Sequence, residues 1–246
     1  EGVLETFQVS ETSILEPSLQ AKYPEIRTYT GTSIENPGAV IYFSITPQGL
    51  HGMTLSPKNG TQFIDPYSTN SYIVYGKKDL PRLDGIFNCL TPDNYTEAKS
   101  NNSKSVLNAN DGKLRTFRLA LASTVEYSTF QINAAGVSSG TDAEKKAAVL
   151  AAMAVTMTRV NGIFKKELSI EMQFIANNDA VIFLTENDGF TNDDADILID
   201  ESQTVIDAAI GSANYDIGHT FSTGGGGLAE LDSPCTSSKA KGITGT

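Results

Sequence analysis

Residues 141–166 read TDAEKKAAVLAAMAVTMTRVNGIFKK, and this stretch decides the fold. Thr141 and Glu144 form a capping box, in which the threonine side chain accepts from the third helical amide and the glutamate reaches back to the threonine amide. Apolar positions recur at helical spacing on one stripe, namely Ala147, Leu150, Ala151, Ala154, Met157 and Val160. The sequence therefore predicts a long helix with one packed side.

Strand patterns flank this helix on both sides. The predicted strands are residues 116–122, 168–174, 181–184 and 217–222, of which 168–174 alternates strictly between apolar and polar side chains. A second helix is predicted from Asp194 to Ile210, ending at Gly211, with Ile199, Ile206 and Ile210 directed inward. Alternating strands and helices predict an α/β layer.

The first 80 residues are β-rich. Residues 39–46 form a β-branched and aromatic run between two turn sequences, and residues 52–55, 61–64 and 72–75 are shorter strand candidates. Residues 65–68, Asp-Pro-Tyr-Ser, read as a turn. This spacing predicts a small antiparallel sheet with no notable helix.

The composition changes between these two parts. Residues 91–113 are rich in Asn, Ser, Lys and Asp and contain hardly any large apolar side chains. Such a stretch buries too little surface to offset its ordering entropy, and it is typical of an exposed, protease-sensitive linker. The sequence therefore predicts a β domain over residues 1–90, a linker with the maturation site over 91–113, and an α/β domain over 114–246.

The overall charge excludes some classes of function. The chain has 29 acidic residues against 18 Lys and Arg, a formal charge of −11. Because nucleic-acid binding requires a basic surface that displaces counterions, we expect no nucleic-acid partner. No apolar run approaches the roughly 18 residues of a transmembrane helix, so we expect no membrane span. The acidic, Asn- and Thr-rich composition without tryptophan favours a secreted, extracellular protein.

Few residues are suited to catalysis or metal binding. The chain has two histidines, His51 and His219, which are too far apart to form one local metal motif, and each is interpreted as a hydrogen-bonded structural residue. The glycine-rich residues 223–229 lack the spacing of a nucleotide loop and are interpreted as a turn. Asp188, Asn192, Asp193, Asp194 and Asp196 form an oxygen-rich loop that could hold calcium. Because the loop does not follow the EF-hand register, it is interpreted as a solvated loop whose acids cap a helix N-terminus.

Cys89 lies just before the predicted linker. Its thiolate could coordinate a neighbouring zinc ion and so inhibit the metal site, which makes Cys89 a candidate inhibitory zinc ligand. The alternatives are a free thiol or a disulfide with Cys235, the other cysteine.

The second part of the chain resembles the reprolysin-like (adamalysin-type) metallopeptidases of the metzincin clan, in their bacterial secreted branch. The resemblance is carried by residues 117–122, 159–164, 176–179 and above all 213–229, whose sequence is ANYDIGHTFSTGGGGLA, with Cys235 and residues 241–245 following in the same order. Residues 17–80 resemble the propeptide of such enzymes, notably at 24–29, 49–53 and 64–67. The resemblance implies a small antiparallel propeptide domain followed by the upper, mixed-sheet part of a metzincin-like catalytic domain.

This resemblance implies specific site residues. The family's substrate-binding strand corresponds to Gly227, Leu228, Ala229, Glu230 and Leu231. The family's zinc helix, His-Glu-x-x-His-x-x-Gly-x-x-His, would begin by analogy shortly after Gly245, so we expect no catalytic residue in this chain and zinc only in the complete enzyme. Cys235 pairs in relatives with a cysteine further along. Arg118 stands where the family has an acidic calcium ligand, which puts the family's calcium site in doubt here.

The function implied is that of a precursor of a secreted zinc endopeptidase, latent and cutting proteins or peptides once complete, with the propeptide packed on the catalytic domain. One alternative is a non-enzymatic secreted protein-binding module. Another is a sugar- or calcium-binding secreted domain, which rests on the acidic loop alone.

Overall fold

The computed structural model describes residues 4–68, 70–81, 88–91 and 111–245, which form an α+β structure with two six-stranded sheets. The strands are β1 (Phe7–Glu11), β2 (Arg27–Ser33), β3 (Val40–Thr46), β4 (Gly49–Ser56), β5 (Gly60–Ser68), β6 (Ser71–Gly76), β7 (Asn88–Cys89), β8 (Arg115–Ser123), β9 (Ile170–Phe174), β10 (Ile217–Phe221), β11 (Gly226–Ala229) and β12 (Gly242–Thr244). The helices are α1 (Pro17–Lys22), α2 (Val125–Ala134), α3 (Asp142–Leu168) and α4 (Ala195–Ile210).

The first sheet is an antiparallel sheet in which β1 to β6 lie side by side in chain order. The four strands predicted in this part are all present, and three of them are longer than predicted. Directly after the turn that follows β4, β5 begins with Gly60 at φ +72°, a left-handed conformation that glycine adopts without a steric penalty. The prediction of an antiparallel sheet is confirmed.

Two local expectations for this part are wrong. Residues 65–68 do not form a turn, because β5 continues to Ser68 and pairs with β6 across a bulge between Pro66 and Ser68. A short helix, α1, lies between β1 and β2, where none was predicted. Its start is capped by the Glu16 side chain, which accepts from the Ser18 amide at 2.8 Å, and its only buried side chain is Leu19.

The second sheet is mixed and has the order β7-β11-β12-β10-β8-β9. β8 is parallel to both β9 and β10, β10 is parallel to β12, and β11 is antiparallel to β12. All residues of β8 from Leu119 to Ser123 are buried, because α3 packs on one face and α4 on the other. Central strands covered on both faces lose the alternation of buried and exposed residues.

Two further expectations are corrected in this part. Residues 181–184 are not a strand: Val181 ends a 3-10 helix (Asn178–Val181), and Ile182 makes a single bridge to Ser123. The run is apolar because Val181 and Ile182 are buried, at 0% and 2% exposure. Because strands and buried turns both require such burial, an apolar run does not by itself identify a strand. Helix α2 was not predicted, although Thr124 caps it by accepting from the Tyr127 amide at 3.2 Å.

Both sheets pack against helix α3. One side contacts the second sheet through an apolar cluster that includes Leu150, Met153 and Phe174. The other side meets the first sheet so closely that a Cβ on Gly162 would lie 2.6 Å from Tyr42 Cδ2. The capping box at Thr141 and the predicted length are confirmed. By length and composition α3 could span a membrane, and 56% of its most apolar window is buried inside the structure, as in a core helix.

The largest apolar cluster joins residues from both predicted domains. Ile14, Leu15, Leu19, Tyr23 and Ile26 belong to the same cluster as Leu119, Leu121, Leu150 and Phe174. The N-terminal residues therefore contribute side chains to the core of the second sheet. Within the predicted linker, residues 92–110 lie outside the described residues, and the domain boundary stays a prediction.

Candidate substrate-binding strand

Strand β11 contains three of the five predicted substrate-binding residues, Gly227, Leu228 and Ala229. On one side it pairs antiparallel with β12, where Leu228 lies opposite Ile243. Glu230 and Leu231 follow the strand: the Glu230 amide donates to the Lys241 carbonyl oxygen at 2.9 Å, and Leu231 is 47% exposed in a turn. The regular strand is therefore shorter than the predicted stretch.

The two faces of β11 differ because the strand alternates. Leu228 packs with Leu198 of α4 and with Ile243, so this residue attaches the strand to the helix. Gly227 and Ala229 face the opposite way, where they present almost no side-chain bulk. A strand of this composition allows another backbone to approach closely from the side and from that face.

The other side of β11 is occupied by residues 88–91, which we call the edge segment. β7 pairs parallel with β11, with Gly226 opposite Asn88 and Gly227 opposite Cys89. The Leu90 amide donates to the Gly227 carbonyl oxygen at 2.9 Å, and the Ala229 amide donates to Thr91 Oγ1 at 3.1 Å. The predicted substrate strand is thus an internal strand of the sheet in this structure.

Sequence reasoning missed this pairing. Thr91 and Ala229 are separated by 138 positions, and a two-residue strand carries no periodicity that could reveal it. The only signal was the position of Cys89 next to a composition change.

Cys89 is exposed, and both it and Cys235 are free thiols. Because Cys89 lies opposite Gly227 in a parallel pair, the two residues share the face of the sheet that α4 does not cover.

His219 lies in β10 on that same face, beside Phe221, with ring centroids 5.7 Å apart. Its Nε2 is 2.8 Å from Thr244 Oγ1, and a Cβ on Gly242 would lie 2.7 Å from its Nδ1. Desolvation lowers the pKa of His219 to about 4, so the ring is neutral at physiological pH. The interpretation of His219 as a hydrogen-bonded structural residue agrees with this environment.

His51 lies in the other sheet, in β4. Its Nδ1 is 2.7 Å from Asp65 Oδ1, and the same carboxylate accepts from Arg159 Nη2 at 2.6 Å and, through Oδ2, from the Tyr75 hydroxyl at 2.7 Å. Burial alone would raise the pKa of Asp65, but these hydrogen bonds hold it below its ordinary value. His51 is therefore part of an ionic contact between the first sheet and α3.

The side-chain oxygens of the acidic loop accept hydrogen bonds from other groups of the chain. Asp188 accepts from the Val125 and Phe190 amides at 2.8 and 3.0 Å, and Asp194 caps α4 by accepting from the Asp196 and Ile197 amides. Asn192 Oδ1 accepts from the Thr124 hydroxyl at 2.8 Å. The expected helix capping is confirmed for Asp194, whereas Asp188 and Asn192 are buried, at 8% and 7% exposure, instead of solvated.

Arg118 forms an ion pair with Asp216. Its Nη2 donates to Asp216 Oδ1 at 2.7 Å, and its Nε donates to Asp216 Oδ2 at 3.1 Å. These hydrogen bonds lower the pKa of Asp216. A guanidinium beside this carboxylate disfavours a cation there by like-charge repulsion.

The described residues do not fit a zinc ion. Among them, no group of three or more His, Cys, Asp or Glu side chains is arranged to hold a metal. The two histidines belong to different sheets and have the partners given above. What the site offers is recognition of an extended backbone at β11.

The class that this geometry defines is an α+β protein with a glycine-containing strand suited to strand addition. Residues 150–246 match the model of metallopeptidase family M12B, described as reprolysin-like. This match begins at Leu150 within α3 and covers all elements after that helix, and it supports a reprolysin-like metallopeptidase and a peptide or protein substrate. No curated protein and no solved structure matches the chain significantly.

Proposed function

We propose that this chain is the latent precursor part of a secreted, zinc-dependent endopeptidase with a metzincin-like catalytic domain, in which β11 binds the substrate. The observation that carries the proposal is the edge segment on β11. The edge segment ends at the first residue of the predicted linker, so one cut in the linker would break the covalent connection between this segment and the domain that contains β11. Residues 1–90 are then the propeptide.

The proposed binding mode is strand addition. An extended peptide that adds to a sheet edge is held by backbone hydrogen bonds, and the side chains at alternate positions supply selectivity. The groups that would recognise such a peptide are the Gly227 carbonyl and the Ala229 amide, which are bonded to Leu90 and Thr91 here. A substrate and the edge segment therefore compete for the same groups.

Two mechanisms of latency remain open under this proposal. In the first, backbone occupation of β11 alone excludes the substrate. In the second, the Cys89 thiol silences a zinc ion of the complete enzyme. The exposed thiol, on the face opposite α4, is compatible with the second mechanism.

Two substitutions in the complete precursor distinguish these mechanisms. Leu90→Pro removes the amide that donates to Gly227, whereas Cys89→Ser removes the thiol and keeps the backbone pairing. Under backbone occupation, Leu90→Pro is active towards a peptide substrate before any cut and Cys89→Ser stays latent. Under the thiol mechanism, Cys89→Ser is active before any cut and Leu90→Pro stays latent. Leu90→Ala is the matched control, because the side chain is 48% exposed and its amide is retained.

The zinc and peptidase parts of the proposal have their own test. The reading frame downstream of residue 246 should encode the zinc motif, and the complete protein should contain stoichiometric zinc and cleave peptides after the linker is cut. A frame without that motif, together with an inactive cut protein, would favour a non-enzymatic binding module. Recovery of the native protein from the culture medium tests secretion.

A further inference from the structure

Residues 12–26, which we call the anchor segment, attach the N-terminal part to the second sheet at the end opposite the edge segment. The sheet has β7 at one end and β9 at the other. Leu15 bridges Phe174 of β9, the Phe174 amide donates to the Ile14 carbonyl oxygen at 2.8 Å, and the Glu16 amide donates to the Phe174 carbonyl oxygen at 3.0 Å. The N-terminal part thus covers both ends of this sheet.

The anchor segment is buried far more completely than the edge segment. Ile14, Leu15, Leu19, Tyr23 and Ile26 are all at most 4% exposed and lie within the apolar cluster of α3, β8 and β9. In contrast, Cys89 and Leu90 are exposed. Apolar burial is the main driving force of association, so the two attachments differ strongly in strength.

A buried polar contact adds to the anchor. The Tyr23 hydroxyl donates to Asp179 Oδ2 at 2.9 Å, Lys22 pairs with the same carboxylate, and Lys146 Nζ donates to the Asp179 carbonyl oxygen at 2.6 Å. Burial would raise the pKa of Asp179, but the hydrogen bonds from Lys22 and Tyr23 lower it, so the carboxylate stays charged at neutral pH. A charged hydrogen bond at the rim of an apolar contact fixes its register.

We propose that the N-terminal part remains bound as a separate chain after a cut between residues 92 and 110, held by the anchor segment, while the edge segment leaves β11. The binding surface is formed by β9, by the N-terminal half of α3 and by the 3-10 helix that contains Asp179. Its occupant is residues 12–26 of the same polypeptide. Opening of β11 and dissociation of the N-terminal part are then two separate events.

This inference concerns association and is independent of the proposed function. The full chain, carrying an engineered protease sequence inserted between residues 92 and 110, is cut and analysed at about 1 µM by size exclusion with light scattering. The two fragments are expected to co-elute as one particle with the mass of the uncut chain. Separation of the fragments at this concentration would overturn the proposal.

Amide hydrogen exchange locates the part that is released. After the cut, the Leu90 amide should exchange at least tenfold faster, whereas the Glu16 and Phe174 amides should keep the protection that they have in the uncut chain. Equal acceleration of all three amides would contradict the proposal, because it would mean that both attachments open together.

Paired substitutions test the anchor itself. In the cut protein, Leu19→Ala should speed fragment dissociation at least tenfold more than Leu55→Ala, which is 8% exposed in the first sheet. A milder pair covers the case that Leu19→Ala fails to fold: Tyr23→Phe should dissociate faster than Tyr42→Phe, which removes a hydroxyl where the first sheet meets α3. If the members of each pair dissociate at equal rates, the anchor segment is not the principal attachment.

Discussion

The two sheets of this protein differ in how many of their faces are covered. In β3 of the first sheet, Tyr42, Ser44 and Thr46 are buried against α3, while Ile45 between them is 43% exposed. In β8 of the second sheet, five consecutive residues are buried because α3 and α4 cover both faces. Alternation therefore describes the first sheet, and continuous apolar runs describe the centre of the second.

The same difference determines where the molecule tolerates change. In a sheet that is covered on both faces, every side chain has packed neighbours. A side chain on the outer face of a sheet that is covered on one face loses few contacts when it is shortened. Helix α3 is the element that both sheets share, so changes on its two sides report on the two sheets separately.

The largest expected effect is at the centre of the second sheet. Leu121→Ala, at 1% exposure, should lower the free energy of unfolding by about 2–5 kcal/mol, because it removes buried methyl groups and leaves a cavity. Ile45→Ala in the first sheet should cost about 1 kcal/mol or less. Denaturant unfolding measures both free energies. Equal losses for the two variants would mean that the number of covered faces does not determine the cost of shortening a side chain.

The contact between α3 and the first sheet should be the next most sensitive. Gly162→Ala places a Cβ 2.6 Å from Tyr42 Cδ2, and this overpacking should cost about 1–3 kcal/mol despite the higher helix propensity of alanine. In a Tyr42→Ala background the same change should be neutral or stabilising. A double-mutant cycle measures this coupling, and an unchanged cost in that background would refute the steric explanation.

The ionic contact at Asp65 should make the attachment of the first sheet sensitive to acid. The folded-state pKa of Asp65 is lowered, so its contribution is present above the ordinary carboxyl pKa and is lost as the pH falls through the folded value. Asp65→Asn should cost about 1–3 kcal/mol at pH 7, since Arg159 and His51 lose their charged acceptor, and less as the pH approaches 3. Unfolding curves across this pH range measure the difference, and Glu167→Gln, on the exposed end of α3, serves as the control.

The smallest expected effect is at the start of α3, beyond the centre of either sheet. Thr141→Ala removes the hydroxyl that accepts from the Glu144 amide and should cost about 1 kcal/mol. Thr156→Ala, at an exposed position within α3, should be neutral or slightly stabilising because alanine has the higher helix propensity. Thermal unfolding of both variants tests this, and equal shifts would mean that the cap contributes nothing.

Sequence patterns sufficed where a local signal specifies the structure. The capping box at Thr141 and the stripe from Ala147 to Val160 located α3, and Asp194 with Gly211 located both ends of α4. Sequence patterns failed where an apolar run fits more than one structure. Residues 181–184 are apolar because they pack against the core, although they form no strand. Three of the five residues assigned to the candidate strand lie in β11, and the pairing of β11 with residues 88–91 was not foreseen.

The sequence by itself therefore determined helices α3 and α4, the antiparallel character of the first sheet and the likeness of residues 213–229 to a metallopeptidase strand, because each depends on neighbours within a few turns or on a continuous string. Only the tertiary structure decided that Cys89 lies beside Gly227, that Leu15 bridges Phe174 and that Asp65 meets Arg159. These contacts join residues 94 or more positions apart, and they form because buried backbone and charged groups must find partners wherever the fold brings the chain together.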